Sequence, residues 1–404
     1  MDIKEIAKKI LNDNGRIYLV GGAVRDILLG IEPKDYDYCV TGLSQEEFQN
    51  LFPSAFLRGK DFPVFDLDGI EIALARRERK IKEGHQGFII EADKSLTIED
   101  DLMRRDITVN SIAIDVLTNK RIDPYHGIED IKNRVIRATS EAFAEDPLRV
   151  YRVARFSAQL NFKIDRETML LMKSLKDELQ YLSAERVFTE FRKALLSKHP
   201  SVFFQVLKEC ECLEVHFQEI NEMIGITQPL KYHPEGDVYN HTMEVLDRTA
   251  LESDDELIRF AALVHDFGKI ATPKEMLPHH YNHEKHGDEF IRNFCNRLKM
   301  PNHYKKVGLT ASNEHMRAGM FCELRTSKKV DFIVKNDRTI LGLRGLEVIA
   351  NCDKVHEQRI EFSKLGEQMF QEVNGMTIDL QNLSIQQINE KLRKARIDWM
   401  IKHL

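Results

Sequence analysis

The strongest constraint on the fold is a change of texture near residue 140. Before it, short β-branched and aromatic runs alternate with glycine and polar turns. Segments 16–20, 36–41, 62–65, 70–75 and 108–115 read as strands. After Glu141 the apolar residues recur at helical spacing over long stretches. Segments 147–160, 184–196, 237–251, 255–266 and 284–298 are predicted helices. The expected class is therefore α+β, a mixed head followed by a helical remainder. A chain of 404 residues has room for roughly two to four separate cores. A turn-rich stretch, 225–236, separates two helical blocks and marks an inner boundary. The expected division is 1–138, 139–226, 227–355 and 356–404.

Composition removes several classes of protein. Hydrophobic residues make up 42% and charged residues 31%, which excludes a disordered or collagen-like chain. No apolar run approaches the ~20 residues of a membrane-spanning helix, and no membrane partner is expected. The first ten residues alternate charged and apolar types, without the apolar centre of a secretory signal or the acid-poor character of a transit peptide. The cysteines at 39, 210, 212, 295, 322 and 352 lack C-x-x-C spacing. They suit a reducing cytoplasm better than a disulfide framework or a structural zinc site. A net charge of -6 excludes a globally basic nucleic-acid binder but leaves room for a local basic groove. The final helix, 385–403, is amphipathic and reads as packing against the body.

The head carries several features that are ordinary alone. Gly21-Gly22 follows the first strand, where absent Cβ atoms let backbone N–H groups approach a ligand, and Arg25 adds a charged donor. The next strand carries Asp35-Tyr36-Asp37. Strand positions i and i+2 face the same way, so the two carboxylates should project together and call for a divalent cation, magnesium by preference for hard oxygens. An isolated pair of this kind is as often a solvated strand edge. Glu71, on a later strand, is a candidate third carboxylate. Arg104-Arg105-Asp106 can be a surface ion pair or a clamp on phosphate and ribose. Glu145-Asp146-Pro147-Leu148-Arg149 opens a predicted helix whose Arg149, Arg152 and Arg155 form a basic face.

Taken together and in this order, these motifs closely resemble the bacterial tRNA nucleotidyltransferases, the CCA-adding enzymes of the class related to bacterial poly(A) polymerases. The resemblance runs from about residue 16 to beyond residue 350 and weakens after Leu365, including 374–382. It implies a polymerase-beta-like nucleotidyltransferase head followed by an all-helical neck and body. It makes Asp35 and Asp37 magnesium ligands, with Glu71 as their partner. Gly22, Arg25, Arg105, Arg149 and Arg152 would contact the nucleotide, and Asp106 belongs to the ribose and phosphate block. Substrates implied are tRNA, CTP and ATP.

Asp146 and Arg149 also suit the reading of a base. With Asp146 and Arg149 as neighbours i and i+3 on one helix, the carboxylate can accept from an exocyclic amine while the guanidinium donates to a ring acceptor. Cytosine and adenine offer that pair of groups, and guanine and uracil present the reverse. A mismatch leaves polar groups unpaired at about 1–3 kcal/mol each, enough to discriminate without a template.

The second half concentrates histidines: His241, His265 beside Asp266, His279, His280, His283, His286 and His315, with Asp353 further on. Single core histidines are usually packing residues, but this many in one helical block suit a transition metal. The block resembles the HD phosphohydrolase domain appended to some CCA-adding enzymes. That resemblance implies His241, His265, Asp266 and Asp353 as metal ligands and His283 and His315 as additional ones; imidazole and carboxylate donors suit nickel, manganese or iron, and zinc less specifically. His286 lies three residues from His283 and can share its face. Lys269, four residues after His265, can hold a phosphate. The implied activities are 2′,3′-cyclic phosphodiesterase, 2′-nucleotidase and phosphatase. A poly(A) polymerase, or an enzyme adding only A or only C, is the nearest alternative. An HD hydrolase with a non-catalytic RNA-binding head is the second. The oligomeric state, monomer or homodimer, stays open.

Overall fold

The computed structural model describes residues 1–58, 64–80, 88–92, 94–354, 359–378, 380–381 and 383–404. Part of the predicted strand 62–65, the 355/356 boundary and part of 374–382 lie outside them. Contacts divide the chain into two compact units: 1–186 with 209–212, and 187–208 with 213–404.

The first unit is built on a mixed sheet. Its strands, in chain order, are β1 (Arg16–Val20), β2 (Asp37–Thr41), β3 (Phe56–Arg58), β4 (Val64–Leu67) and β5 (Ile70–Leu74), then a separate hairpin β6 (Arg76–Lys80) and β7 (Phe88–Ala92), then β8 (Ala113–Asp115) and β9 (Arg121–Ile122). The sheet order is β3-β4-β5-β2-β1-β8-β9, with β2 and β5 parallel and their other neighbours antiparallel. Alternation along the strands assigns each face. Ile17, Val40, Ile72 and Leu74 pack with Ile6, Ile10 and Phe48 of the helices on one side. Tyr18, Val20 and Cys39 pack with Ile98 and Leu102 on the other. Asp37 and Glu71 share the parity of this second face. The register makes them direct partners on adjacent strands, so the sheet sets two carboxylates side by side at one end.

The second unit is helical. Its core includes an aromatic cluster of Phe191, Phe203, Phe204, Phe217 and Phe294, with ring centroids 5.2–6.5 Å apart. Helices Glu256–Val264, His283–Arg297 and Asn302–Gly319 approach closely through glycines. A Cβ on Gly268 would lie 1.9 Å from the His283 carbonyl oxygen, and one on Gly287 would lie 2.1 Å from Ser312 Oγ. These approaches bring residues 265, 283 and 315 to one centre. The predicted helices appear with ends shifted by a few residues, and Ile385–His403 appears as expected. The predicted strand 108–115 is a short 3-10 turn, Thr108–Asn110, followed by β8.

Candidate active sites

In the first unit the glycine turn emerges beside Asp37, because Val20 is the register partner of Asp37. Gly21 has φ 72°, and a Cβ there would stand 3.0 Å from Arg105 Nη1 and 3.7 Å from Asp37 Oδ2. Backbone conformation and space both demand glycine. Arg25 Nε and Nη2 hold Asp26 Oδ1 at 2.9 and 2.7 Å, and Nη1 donates to Asn110 Oδ1 at 2.8 Å. Arg152 Nε donates to Asp106 Oδ2 at 2.7 Å, and Asp106 Oδ1 takes the Ile107 N–H. Gly22, Arg25, Asp37, Arg105, Asp106, Asp146, Arg149 and Arg152 all line one cleft of about 540 Å³. Seven arginines and three aspartates face it, so the cleft is strongly cationic and suited to a polyphosphate.

Asp37 sits at the edge of that field. Desolvation, reinforced by Asp35 and opposed by Arg105, holds its carboxyl above the ordinary range. Asp35, Asp37 and Glu71 offer hard oxygens with mutual repulsion, a donor set that fits a divalent ion. Among the described residues, ligand atoms of three or more such groups lie within 4.8 Å of one another only in the second unit. The head carboxylates are neighbours without converging.

In the second unit three buried imidazoles are anchored alike. His265 Nδ1 bonds the Ala262 carbonyl at 2.7 Å, His283 Nδ1 that of His280 at 2.8 Å, and His315 Nδ1 that of Ser312 at 2.9 Å. His241 is anchored by a carboxylate instead, Nδ1 to Glu235 Oε1 at 2.5 Å. Each Nδ1 is thus committed and each Nε2 is presented inward. Asp266 stands between them. Its Oδ2 lies 3.3 Å from His265 Nε2 and 3.6 Å from His241 Nε2, and its Oδ1 lies 3.3 and 3.5 Å from His283 and His315 Nε2. Asp353 Oδ1 is 2.9 Å from His241 Nε2.

The charge balance calls for a cation. His283 and His315 face each other Nε2 to Nε2 at 3.1 Å. With both Nδ1 atoms donating, these are opposed lone pairs unless a positive charge intervenes. Buried His265 Nε2 and both Asp266 oxygens make no hydrogen bond among the described residues, although Lys269 Nζ forms an ion pair with Asp266 Oδ2 at 2.6 Å. Burial lowers the His265 pKa, but Asp266 and Asp353 outweigh it and raise the net value. Burial raises that of Asp266, but His265 and Lys269 hold it well below the carboxylate range. Imidazole nitrogens with carboxylate oxygens fit a transition metal.

Comparison with known proteins places the chain in a family. Family models match at residues 17–137 (Poly A polymerase head domain), 161–224 (Probable RNA and SrmB- binding site of polymerase A) and 237–333 (HD domain). The multifunctional CCA protein of Shewanella denitrificans is 47% identical over 329 residues, 80% of this chain and 79% of that protein. The one from Shewanella frigidimarina is 47% identical over 347 residues, 83% and 82% of the two chains. The chain belongs to the multifunctional CCA protein family. It is a CCA-adding nucleotidyltransferase with an HD phosphohydrolase domain, and it requires divalent metal. A CCA-adding enzyme solved in an apo form shares the fold at TM-score 0.66 and 22% identity, over 99% of this chain and 91% of that one. The Thermotoga maritima CCA-adding enzyme complexed with tRNA shares it at TM-score 0.65 and 20% identity, over 99% and 92%.

Several expectations for this CCA-family chain change in detail. Asp35 lies in the bend before β2, so strand alternation does not aim it; it meets Asp37 as a neighbouring charge. The helix begins at Arg149 with Leu148 as its N-cap, so Asp146 lies outside it, its Oδ1 accepting from the Leu148 N–H. Asp146 Oδ2 pairs with Arg186 Nη2 at 2.8 Å, while Arg149 donates to the Ala142 and Arg104 carbonyls, each at 2.6 Å. Arg149 and Arg155 are buried, and with Arg152 they turn the basic face of this helix toward the cleft. Lys269 holds Asp266 and Gln228 Oε1, the latter at 2.6 Å, and does not project as a free phosphate ligand. His286 is exposed and outside the cluster.

Three residues escaped sequence reasoning. Arg186 has no motif, and Glu235 lies in a turn-rich stretch that reads as a boundary. Asp101 looks like one acid among several in a first turn, yet it is buried and holds both neighbouring arginines, Arg105 through Nη2 at 3.0 Å and Arg104 through Nη2.

Two outcomes follow. Burial pushes Asp101 up, but Arg105 and Arg104 overcome it and lower its pKa to about 2. Its stabilisation is complete above the ordinary value of about 3.9 and is lost as pH falls toward about 2. Asp101→Asn should cost about 1–3 kcal/mol in denaturant unfolding at neutral pH. The gap from wild type should close in acid, and a gap independent of pH would contradict the pairing. Glu235→Gln should weaken metal affinity about 10- to 100-fold in chelator competition; unchanged affinity would show that Glu235 does not orient His241.

Proposed function

We propose that the first unit rebuilds the 3′-terminal CCA of tRNA from CTP and ATP, and that the second hydrolyses phosphoesters at RNA ends. The transfer reading rests chiefly on one observation: Asp37 borders the same arginine-lined cleft that gathers the nucleotide-binding candidates. Asp35 and Asp37, with Glu71 beside them, would hold magnesium. Such an ion would lower the pKa of the tRNA 3′-hydroxyl and neutralise charge at the α-phosphate. Arg25, Arg105 and Arg152 bind the triphosphate, and Asp106 fixes Arg152 in place. The 3′-oxygen forms a bond to the α-phosphorus, its proton passes to solvent, and the bond to pyrophosphate breaks, the pyrophosphate leaving with the electron pair. Residues 139–226 would supply base selection and tRNA contact, and the cytoplasm is the compartment proposed.

Asp146 accepts from the exocyclic amine of cytosine or adenine while keeping Arg186, since each carboxylate oxygen has a second lone pair. Arg149 donates to the ring acceptor by giving up the Ala142 carbonyl. Guanine and uracil would meet a carbonyl against the carboxylate and a ring N–H against the guanidinium.

In the second unit His241, His265, Asp266 and Asp353 would hold one metal position. His283 and His315 would join the other Asp266 oxygen in a second lobe. Nickel or manganese suits these donors, and such an ion supplies an activated water and charge for the phosphate. Asp266 serves both lobes, and Glu235 and the backbone carbonyls keep every Nε2 aimed inward.

An assay on tRNA lacking its terminus tests the reading. Asp37→Ala should abolish CTP and ATP incorporation while preserving 2′,3′-cyclic AMP hydrolysis. His265→Ala should do the reverse, losing at least 100-fold of hydrolysis as a rough scale. Asp146→Ala should admit GTP and UTP. Retained incorporation by Asp37→Ala, loss of both activities in either metal-site variant, or unaltered base choice in Asp146→Ala would each overturn its assignment.

A further inference from the structure

The pocket over the Asp266 cluster has a rim that phosphate chemistry alone does not require. Its floor is Asp266, His283, His315 and Asp353, and its mouth includes Tyr232 and Tyr281. These tyrosines are 63% and 66% exposed, an unusual display of aromatic surface at the entrance of a charged site. Each ring is braced by a neighbour. His279 stacks on Tyr281 at 5.9 Å and 24°, and Lys231 Nζ lies 5.3 Å from the Tyr232 centroid.

The rim is also tied to the centre. His280, beside Tyr281, bonds Thr272 Oγ1 at 2.8 Å through Nδ1 and the Thr227 carbonyl at 3.0 Å through Nε2. Its own carbonyl anchors His283 Nδ1 at 2.8 Å. One residue therefore links the loop bearing Tyr281, the segment leading to Tyr232 and a candidate metal ligand. A rim held this way is preorganised, so little ordering is left for a ligand to bring about.

We propose that Tyr232 and Tyr281 form a stacking clamp for the nucleobase of a nucleoside phosphate, so that the hydrolase selects nucleotide ends over base-free phosphoesters. The clamp rests on the hydrolase reading above and adds the residues that would hold the base. The 260 Å³ of the pocket seats the phosphate and sugar near the metal-ligating floor, and the base projects to the rim. Stacking on tyrosine tolerates any base, since every base has a π-face. Lys354, also on the wall, adds positive charge for the phosphate.

The test compares 2′,3′-cyclic AMP with glycerol 1,2-cyclic phosphate, which has the same five-membered cyclic ester and no base. In metal-loaded full-length protein, Tyr232→Ala/Tyr281→Ala should raise KM for 2′,3′-cyclic AMP about 10-fold or more. Its kcat, its metal content and its kinetics on the glycerol ester should stay as in wild type. Tyr232→Phe/Tyr281→Phe should restore the wild-type KM. An unchanged KM in the alanine variant, or an equal loss on both esters, would overturn the clamp. Wild type inactive on both esters with nickel and with manganese would overturn the hydrolase reading, and the clamp with it.

Discussion

An imidazole has two nitrogens, and committing one of them decides what the other can do. In the second unit His265, His283 and His315 commit Nδ1 to backbone carbonyls and His241 commits it to Glu235. Four Nε2 atoms are thereby turned toward the Asp266 carboxylate. Buried lone pairs and a buried carboxylate in such proximity are costly without a cation. Lys269 answers part of that demand with an ion pair to Asp266. The glycine contacts at Gly268 and Gly287 exist to the same end, because any side chain there would push the anchoring helices apart.

The first unit uses the same device with opposite charge. Asp101 is buried beneath two arginines, Asp106 holds Arg152, and Asp26 with Asn110 holds Arg25. Each guanidinium keeps a fixed position around the cleft, so a polyphosphate would find its donors already oriented. The sheet register contributes the acidic counterpart. Pairing of Val20 with Asp37 and of Asp37 with Glu71 fixes where the glycine turn and the carboxylates meet. Two chemistries thus sit in two separately packed units, each organised by buried anchors that the substrate would not touch.

Much of this was legible in the sequence where periodicity or residue type carried it. Strands β1, β2 and β5 and the long helices followed from alternation and helical spacing, while β3, β6, β7 and β9 did not, and the ligand set came from the family resemblance. What escaped were the anchors. Glu235 and Asp101 have no pattern that separates them from surface acids, since burial arises only from tertiary packing. Asp35 and Asp146 were assigned to regular elements that begin two and three residues later, at Asp37 and Arg149. Element ends depend on local bonds such as that from Leu148 N–H to Asp146 Oδ1, which periodicity does not register. His286 is a neighbour of His283 in helical spacing only, exposed and outside the cluster.

The central claim, that the anchored histidines and Asp266 form a cation site, is tested most directly by anomalous diffraction from crystals soaked in manganese. A peak is expected within bonding distance of the Asp266 carboxylate and His265 Nε2, with the Nδ1 anchors intact. No peak there, with the Lys269 ammonium still paired to Asp266, would contradict it.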